Sequence, residues 1–210
     1  SRCQARGMGL DISADGAWQR DTSALKARLA LSSEAQAPWQ ELVAELGGVD
    51  KHVLVVLADP LAVSMSLDGR TRGELNLDLA RLKAGIVEGK GKITADINDW
   101  LAGASPDKAG NLKASLNLAA ENLAPLALGV SGPLAVNLEA DGNMRAAQIS
   151  LETSSPQLET PVGRLEQATA RLSGAFNLDE RNGLNASGDL KAGAASGPGG
   201  EAEINTAWRV

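Results

Sequence analysis

Alternation of apolar and polar residues is the main pattern of this 210-residue chain, and the segment 130–151, VSGPLAVNLEADGNMRAAQISL, shows it plainly. Every second residue is apolar in 134–138 and again in 147–151, which places those side chains on one face of a strand. Asp141 and Gly142 lie between the two runs, and this dipeptide favours a turn because glycine adopts positive φ without a Cβ clash. The segment therefore predicts a β-hairpin with one apolar and one polar face.

Comparable alternating runs continue along the chain and predict roughly a dozen strands. Besides the hairpin, the predicted strands are 9–15, 25–31, 53–57, 61–67, 75–79, 93–97, 112–118, 165–172, 176–178, 184–190 and 202–208. Turns or breaks are predicted at Asp15-Gly16, Asp68-Gly69, Gly174 and Asn182-Gly183, with a loosening of the chain at Gly89 and Gly91. The composition of the segment 192–200, AGAASGPGG, predicts a flexible connection.

One stretch has a different period. Trp39, Leu42, Val43 and Leu46 fall at i, i+3, i+4 and i+7, and Pro38 suits the first position of a helix. The stretch 38–46 therefore predicts one short amphipathic helix. Because its polar face is acidic, we interpret it as a cap over an edge or mouth of the sheet rather than as a helix that lies on a membrane.

The scarcity of aromatic residues narrows the fold class. Aromatics are 2% of the chain, with no Tyr, one Phe and four Trp, whereas compact cores usually rely on aromatics for much of their buried area. A compact sandwich stays open as an alternative, and no coil period typical of a β-helix is found. We predict an all-β fold, a long curled antiparallel sheet that forms a U-shaped groove with an apolar concave face and a polar convex face.

Charge and composition exclude several classes of function. The net charge of -6 argues against nucleic acid, which requires clustered Lys and Arg. The single cysteine, Cys3, has no partner for an internal disulfide. The sequence lacks the apolar run of a membrane-spanning helix and does not start with a signal peptide. We therefore expect residues 1–210 to be a single segment of an extended groove and a fragment of a longer chain.

Catalytic and metal-binding chemistry has little support in the sequence. His52 is the only histidine and heads an apolar strand, so no second histidine completes a metal or nucleophile set. Asp15, Asp68 and Asp141 each precede glycine, which turn formation explains. Nucleotide-binding, zinc-protease and hydrolase motifs do not occur. We predict no enzymatic activity, no cofactor and no metal site.

Three segments share strands with alternating apolar residues: two of them start at glycine, and in the third a single histidine precedes the strand. The longest is punctuated by SG-P-L and DG. The three segments are GNLKASLNLAAENLAPLALGVSGPLAVNLEADGN (110–143), GRLEQATARLSGAF (163–176) and HVLVVLADPLAVSMSLDG (52–69). In this punctuation the chain resembles the TamB family (the inner-membrane component of the translocation and assembly module) and its AsmA-like relatives. The likeness covers most of the chain, although the family's N-terminal membrane helix and its C-terminal domain are not represented.

The resemblance implies a U-shaped β-groove, the β-taco, in the periplasm of a didermic bacterium, with the parent protein anchored in the inner membrane. It implies that the groove shields phospholipid acyl chains during transport between the inner and outer membranes and supports outer-membrane protein assembly. The implied partners are phospholipid acyl chains and, through parts of the parent absent here, an Omp85-type outer-membrane barrel.

The groove hypothesis assigns eleven apolar side chains to the lining. They are Leu75, Leu77, Leu79, Ile93, Ile97, Leu112, Leu116, Leu134, Val136, Leu138 and Ile149. An alternative is that these side chains pack against a covering layer. Two other functions stay open: a structural or adhesive cell-surface β-module, and a scaffold that binds strands of outer-membrane proteins at its sheet edges, for instance at 53–57.

Overall fold

The order of strands in the sheet follows the order of strands in the chain. The computed structural model describes residues 2–7, 9–33, 60–70, 73–96, 110–126, 129–143, 146–177, 184–198 and 200–209. These residues form one antiparallel sheet of twelve strands, in which each strand pairs with the next one along the chain. Consecutive strands commonly lie side by side in a sheet, and antiparallel neighbours need no crossover connection, which accounts for this order.

The strands are long for a sheet of this size. They are β1 (Arg2–Gly7), β2 (Leu10–Gln19), β3 (Ala24–Ser33), β4 (Leu61–Arg70), β5 (Glu74–Ala84), β6 (Val87–Asp96), β7 (Asn111–Ala120), β8 (Leu134–Asn143), β9 (Ala146–Thr160), β10 (Gly163–Asn177), β11 (Leu184–Gly197) and β12 (Gly200–Arg209). A 3₁₀ turn, Ala124–Leu126, lies between β7 and β8. The prediction of an all-β antiparallel fold is confirmed. The predicted helix 38–46 and strand 53–57 lie outside the described residues, and the curvature of a U-shaped groove stays a prediction.

The register aligns apolar residues across the whole sheet. One cross-strand series, which we name the middle row, contains an apolar residue or glycine from every strand. Its members are Cys3, Ala14, Leu29, Met65, Leu79, Gly91, Leu116, Leu138, Leu151, Leu172, Gly188 and Trp208. We name the face to which this row belongs the apolar face.

The neighbouring series, which we name the polar row, belongs to the opposite face. Its members are Arg2, Asp15, Arg28, Ser66, Asp78, Lys92, Ser115, Glu139, Ser150, Ser173, Ser187 and Arg209. Every member is charged or a serine. Because successive side chains point to opposite faces of a strand, the two rows make the sheet amphipathic from its first strand to its last.

A bulge in β5 keeps the register of the apolar residues. Leu79 pairs with Met65 of β4, but Leu82, three residues later, pairs with Val63, two residues earlier on β4. The extra residue in β5 returns Leu82 to the apolar face, where it also pairs with Gly89 of β6. The extra residue therefore interrupts the alternation in the sequence but keeps Leu79 and Leu82 on the same face of the sheet.

Several predicted turns lie inside strands. Gly16 pairs with Ala27 in the middle of the β2–β3 ladder, so the predicted turn at Asp15-Gly16 is wrong. Gly69 and Gly142 are the last residues but one of β4 and β8, and the turns follow them. Likewise, Gly174 does not break a strand, because β10 continues through it with partners on both sides. Cross-strand hydrogen bonds extend each strand past residues that favour turns in isolation.

The glycine-rich segments form strands as well. Residues 192–197 of the predicted flexible connection are the end of β11, and Ala195 pairs with both Leu165 and Ala202. Gly89 and Gly91, predicted to loosen the chain, are paired within β6. Each of these strands has a neighbour on both sides, so two ladders of backbone hydrogen bonds offset the entropy that glycine loses on folding.

Gly69 and Gly142 share one local geometry at the ends of β4 and β8. Both have φ of 155°, a conformation that side chains rarely adopt. A Cβ at Gly142 would collide with the carbonyl oxygen of Ala146, and a Cβ at Gly69 would collide with that of Glu74. The Asp-Gly dipeptide therefore matters in both places because only glycine lets the returning strand approach this closely.

We expect Gly142→Ala to lower the free energy of unfolding by about 2 kcal/mol, because it adds backbone strain and a collision with the Ala146 carbonyl. Urea denaturation measures the change. Gly7→Ala is the matched control, since a Cβ there meets nothing within 4 Å, and it should change stability by less than about 0.5 kcal/mol. Equal effects of the two substitutions would contradict the geometry described for Gly142.

Candidate functional site

Ten of the eleven residues predicted to line a groove lie on the apolar face, and Ile97 lies outside the described residues. Leu79, Leu116 and Leu138 belong to the middle row. Leu77 pairs with Ile93, and the same series continues through two alanines to Ile149. The other four join this face by register: Leu75 is opposite Ala95, Leu112 opposite Gly142, Val136 opposite Leu118 and Leu134 opposite Ala120.

The middle of the apolar face is not covered by the residues that the structure describes. Ile93 and Ile149 keep 39% and 38% of their surface exposed, and the leucines of the middle row are half-buried. Across the described ranges, the only buried hydrophobic residues are Ala120, Ala168 and Ala192. A second layer packed on this face would bury its leucines and isoleucines. The described residues therefore do not provide the covering layer of the alternative hypothesis.

Five small residues near one end of the same face are buried. The buried residues of the described chain are Ser33, Ala120, Ser155, Ala168 and Ala192. All five lie near the end of the sheet at which β3 and β7 finish, and Ser155 pairs directly with Ala168. We name this set the buried end row. The small residues of the apolar face are thus buried at one end, which we call the closed end, and half-buried in the middle, whereas Leu61 and Leu134 at the closed end are half-buried.

A shallow depression of about 420 Å³ opens on the apolar face across the first strands of the sheet. Its lining consists of Cys3, Ala14, Asp15, Gly16, Ala27, Arg28, Leu29, Met65, Leu67 and Leu77. All of these residues except Asp15 and Arg28, which belong to the polar row, lie on the apolar face. This volume lies within the range of small-molecule sites, and the lining is mainly aliphatic.

The opposite face carries exposed pairs of opposite charge across neighbouring strands. Lys26 and Asp68 are 3.3 Å apart, and Lys113 and Asp141 are 3.5 Å apart. Arg171 Nη2 donates to Glu152 Oε1 over 2.9 Å, and this hydrogen bond raises the pKa of Arg171. Such exposed pairs contribute little stability each, but together they keep this face hydrated.

Both faces of the sheet have depressions, so surface shape alone does not distinguish the apolar face from the polar one. A depression of about 590 Å³ on the polar side is bounded by Ser115, Glu139, Ser173 and Arg209, among others. Its lining is rich in charged and hydrogen-bonding side chains, including Lys113, Asp141 and Gln148, so it offers an acyl chain a less apolar surface than the middle row does. Polarity, rather than concavity, sets the apolar face apart.

The described residues bring together no group suited to acid–base or metal chemistry. Within them, no three His, Cys, Asp or Glu side chains converge on a point where a metal ion would fit. Glu88 has a lowered pKa because it accepts a hydrogen bond from Lys83 over 2.7 Å, an exposed surface contact. In the same part of the chain, no helix is long and apolar enough to cross a membrane.

Sequence reasoning missed Leu82 and the two glycines of β6 as parts of the apolar face. Leu116 extends over the space that a side chain at Gly91 would occupy, with its Cδ1 3.1 Å from the position of such a Cβ. Leu118 covers Gly89 in the same way. The sequence contained a signal for the glycines, because Gly89 and Gly91 alternate with polar residues up to Ile93 and therefore lie on the same face of the strand as Ile93. Leu82 gave no such signal, because a bulge shifts its parity.

Comparison of the chain with protein-family models, with curated proteins and with solved structures found no match.

Proposed function

We propose that the apolar face shields phospholipid acyl chains during transport between the inner and outer membranes of a didermic bacterium. The observation that carries the proposal is the middle row, which runs through all twelve strands without a charged side chain. The open middle of that face adds support, because a transport surface must be reachable from one side.

An acyl chain that leaves a membrane loses a large amount of free energy of burial unless an apolar surface shields it from water. Exposing an acyl chain to water costs about 0.8 kcal/mol per methylene, so a chain of about fifteen carbons costs on the order of 12 kcal/mol. Contact with a continuous aliphatic surface removes much of that cost. Leucine, alanine and glycine offer no deep pocket in which a chain would stay trapped. The face therefore suits movement of lipid better than storage of one molecule.

The proposal includes features that extend beyond the described sheet. The sheet curls into a U-shaped groove around the acyl chains, and the segment 38–46 caps one edge of it as a helix. The parent protein is anchored in the inner membrane, works in the periplasm and also supports outer-membrane protein assembly. The likeness of 110–143 and 163–176 to the TamB repeat supports these features.

Photo-crosslinking tests the proposal directly. A photoreactive residue replaces Leu77 on the apolar face or, as the matched control, its neighbour Asn76 on the polar face, in cells that make the protein. Asn76 accepts a hydrogen bond from Thr94 over 2.8 Å, which fixes it on the polar side. We expect covalently attached phospholipid after illumination at position 77 and none at position 76, detected by mass spectrometry.

The opposite outcomes are equally informative. Phospholipid at neither position, in protein that is folded and present at normal level, would refute the lipid-shielding function. Phospholipid at both positions would indicate non-specific adsorption to membranes and would also count against a specific apolar face.

A further inference from the structure

β9 contains one residue more than the chain that runs beside it. Ser154 pairs with Ala135 of β8, and Glu159, five residues later, pairs with Ser131, only four residues earlier. An extra residue of this kind is a β-bulge, and it turns the side chains that follow to the opposite face. Pro156 lies in this interval and suits the extra position, because proline has no N–H to donate to a ladder.

β11 contains an extra residue at the same level of the sheet. Ala192 and Ala195 pair with Ile204 and Ala202 of β12, so β11 advances by three residues where β12 advances by two. Gly193 lies in this interval. The extra residues of β9 and β11 therefore flank β10 from both sides.

β10 stays in register with both of these neighbours, which requires an extra residue in β10 as well. Its pairing with β9 and with β11 keeps one register on both sides of Gln167. Gln167 has φ of 50°, a left-handed conformation that is typical of bulges and rare for a residue with a side chain. In this register Gln167 lies between Pro156 and Gly193. We name these three residues the bulge line.

Beyond the bulge line, leucines lie on the apolar face again. β12 has no extra residue here, so Ala202 lies on the same face as Ile204, which pairs with the buried end row. Ala202 pairs with Ala195, and Ala195 also pairs with Leu165. Leu165 in turn pairs with Leu158. The apolar face therefore continues through these residues to the tips of the strands.

Contacts on the other face agree with this assignment. Arg164 Nη2 donates to Gln157 Oε1 over 2.6 Å and forms an ion pair with Glu166 at 3.2 Å. Without the bulge line, strict alternation from Ser155 and Ala168 would place Gln157 and Glu166 on the apolar face. The bulge line therefore keeps this polar cluster away from the apolar surface.

The three least exposed residues of the described chain lie directly before the bulge line. Ser155, Ala192 and Ala168 keep 3%, 3% and 5% of their surface exposed. Two residues further from the bulge line on the same face of β11, Leu190 is 36% exposed. Ser155 Oγ accepts a hydrogen bond from the N–H of Gln157 over 3.2 Å, which joins the two sides of the bulge line. Burial on the apolar face thus increases sharply where the extra residues occur.

We propose that the sheet bends at the bulge line, so that the tips of β9 to β12 form a lip over one end of the apolar face. The lip consists of residues 157–166, 194–198 and 200–202. Bulges bend the strands that contain them, and burial on the apolar side of the bulge line indicates a bend toward that face. Leu158 and Leu165 of the lip then cover the small residues before the bulge line. An apolar molecule consequently reaches the face from its middle or from the opposite strand ends.

Thiol labelling tests the direction of the bend. The exposed Cys3 is the only cysteine, so Cys3→Ser with Ala192→Cys gives a protein with one thiol, and its labelling by a maleimide is followed in the folded state. We expect Leu165→Ala to raise the labelling rate about tenfold, because it removes part of the lip above the thiol. Leu190→Ala is the matched control, since Leu190 is the nearer leucine but lies toward the open middle. It should change the rate by less than about twofold.

Three results of this experiment would overturn the lip. They are equal labelling rates in the two leucine variants, a larger effect of Leu190→Ala, and labelling of the thiol at position 192 as fast as one at the exposed neighbouring position, introduced by Lys191→Cys. Urea denaturation of each variant establishes that the rates belong to folded protein.

Deletions test whether the three residues of the bulge line act together. Deleting Gln167 alone puts the end of β10 out of register with β9 and β11, so we expect the midpoint of urea unfolding to fall. Deleting Pro156, Gln167 and Gly193 together restores a common register and should recover most of that loss. In the same triple deletion, the thiol that replaces Ala192 should be labelled about tenfold faster, because the lip straightens.

Two results of the deletion experiment count against the proposal. A triple deletion no more stable than the single one would show that the extra residues do not form a unit. A stable triple deletion whose thiol is labelled as slowly as before would show that the bulge line does not produce the cover. Neither experiment contains lipid, so failure of the lip is distinguishable from failure of the proposed shielding of acyl chains.

Discussion

Replacing Ile149 by aspartate is expected to abolish most acyl-chain binding while the sheet stays folded. Ile149 is 38% exposed and lies between Ala140 and Gly174, so its side chain stands above smaller neighbours. A carboxylate at this position keeps its water, and the free energy of unfolding should fall by only about 1 kcal/mol. An acyl chain that passes over it must remove that water, which should lower affinity by about tenfold or more.

Two measurements separate folding from binding in this variant. Urea denaturation gives the change in stability, and titration with a neutral fluorescent acyl probe gives the change in affinity. A neutral probe avoids direct repulsion between the new carboxylate and a charged ligand. The matched control is Ala175→Asp, on the exposed polar side of β10 next to the register partner of Ile149.

Ala175 has uncharged cross-strand partners, Gln148 and Asn185, so an added carboxylate meets no like charge directly opposite. It should leave both stability and affinity near their wild-type values. If Ile149→Asp instead lost several kcal/mol of stability, the residue would belong to a dry core, and the open apolar face would be refuted. Equal loss of affinity in both variants would indicate a general effect of charge.

The strands and their facing were predictable because both depend on local parity. Leu134 to Leu138 and Ala147 to Leu151 alternate with period two, and the structure pairs Leu138 with Leu151 in a hairpin as expected. The same parity places ten predicted groove residues on one face. Turn positions were less predictable. The extension of β2 past Gly16 depends on its pairing with β3, and a pattern read within one strand contains no information about that pairing.

The degree of cover over the apolar face could not be predicted. Ala168 and Ala170 have the same side chain, lie two residues apart on β10 and share one parity, yet Ala168 is 5% exposed and Ala170 is half-buried. This difference in burial depends on the three-dimensional surroundings of each residue, which the alternation of the sequence does not encode. The bulge that returns Leu82 to the apolar face could not be predicted either, since it depends on the pairing of Leu82 with Val63 on the neighbouring strand.

The contrast between these two alanines gives the prediction with the largest effect on stability. Ala168→Asp places a carboxylate in the buried end row, opposite Ser155, which is itself 3% exposed. A buried charge without a cationic partner is costly, and the group avoids part of that cost only by taking up a proton. We expect the free energy of unfolding to fall by about 3 kcal/mol or more, measured by urea denaturation at neutral pH.

Ala170→Asp is the control on the same strand and the same face. Its cross-strand partners are Thr153 and Leu190, and Leu190 is 36% exposed. A carboxylate there reaches water, so the loss of stability should be about 1 kcal/mol. If both variants lost the same stability, the apolar face would be uniformly covered or uniformly open. A large loss at 168 with a small loss at 170 would fix the boundary between the closed end and the open middle, and thereby the edge of the surface available to an acyl chain.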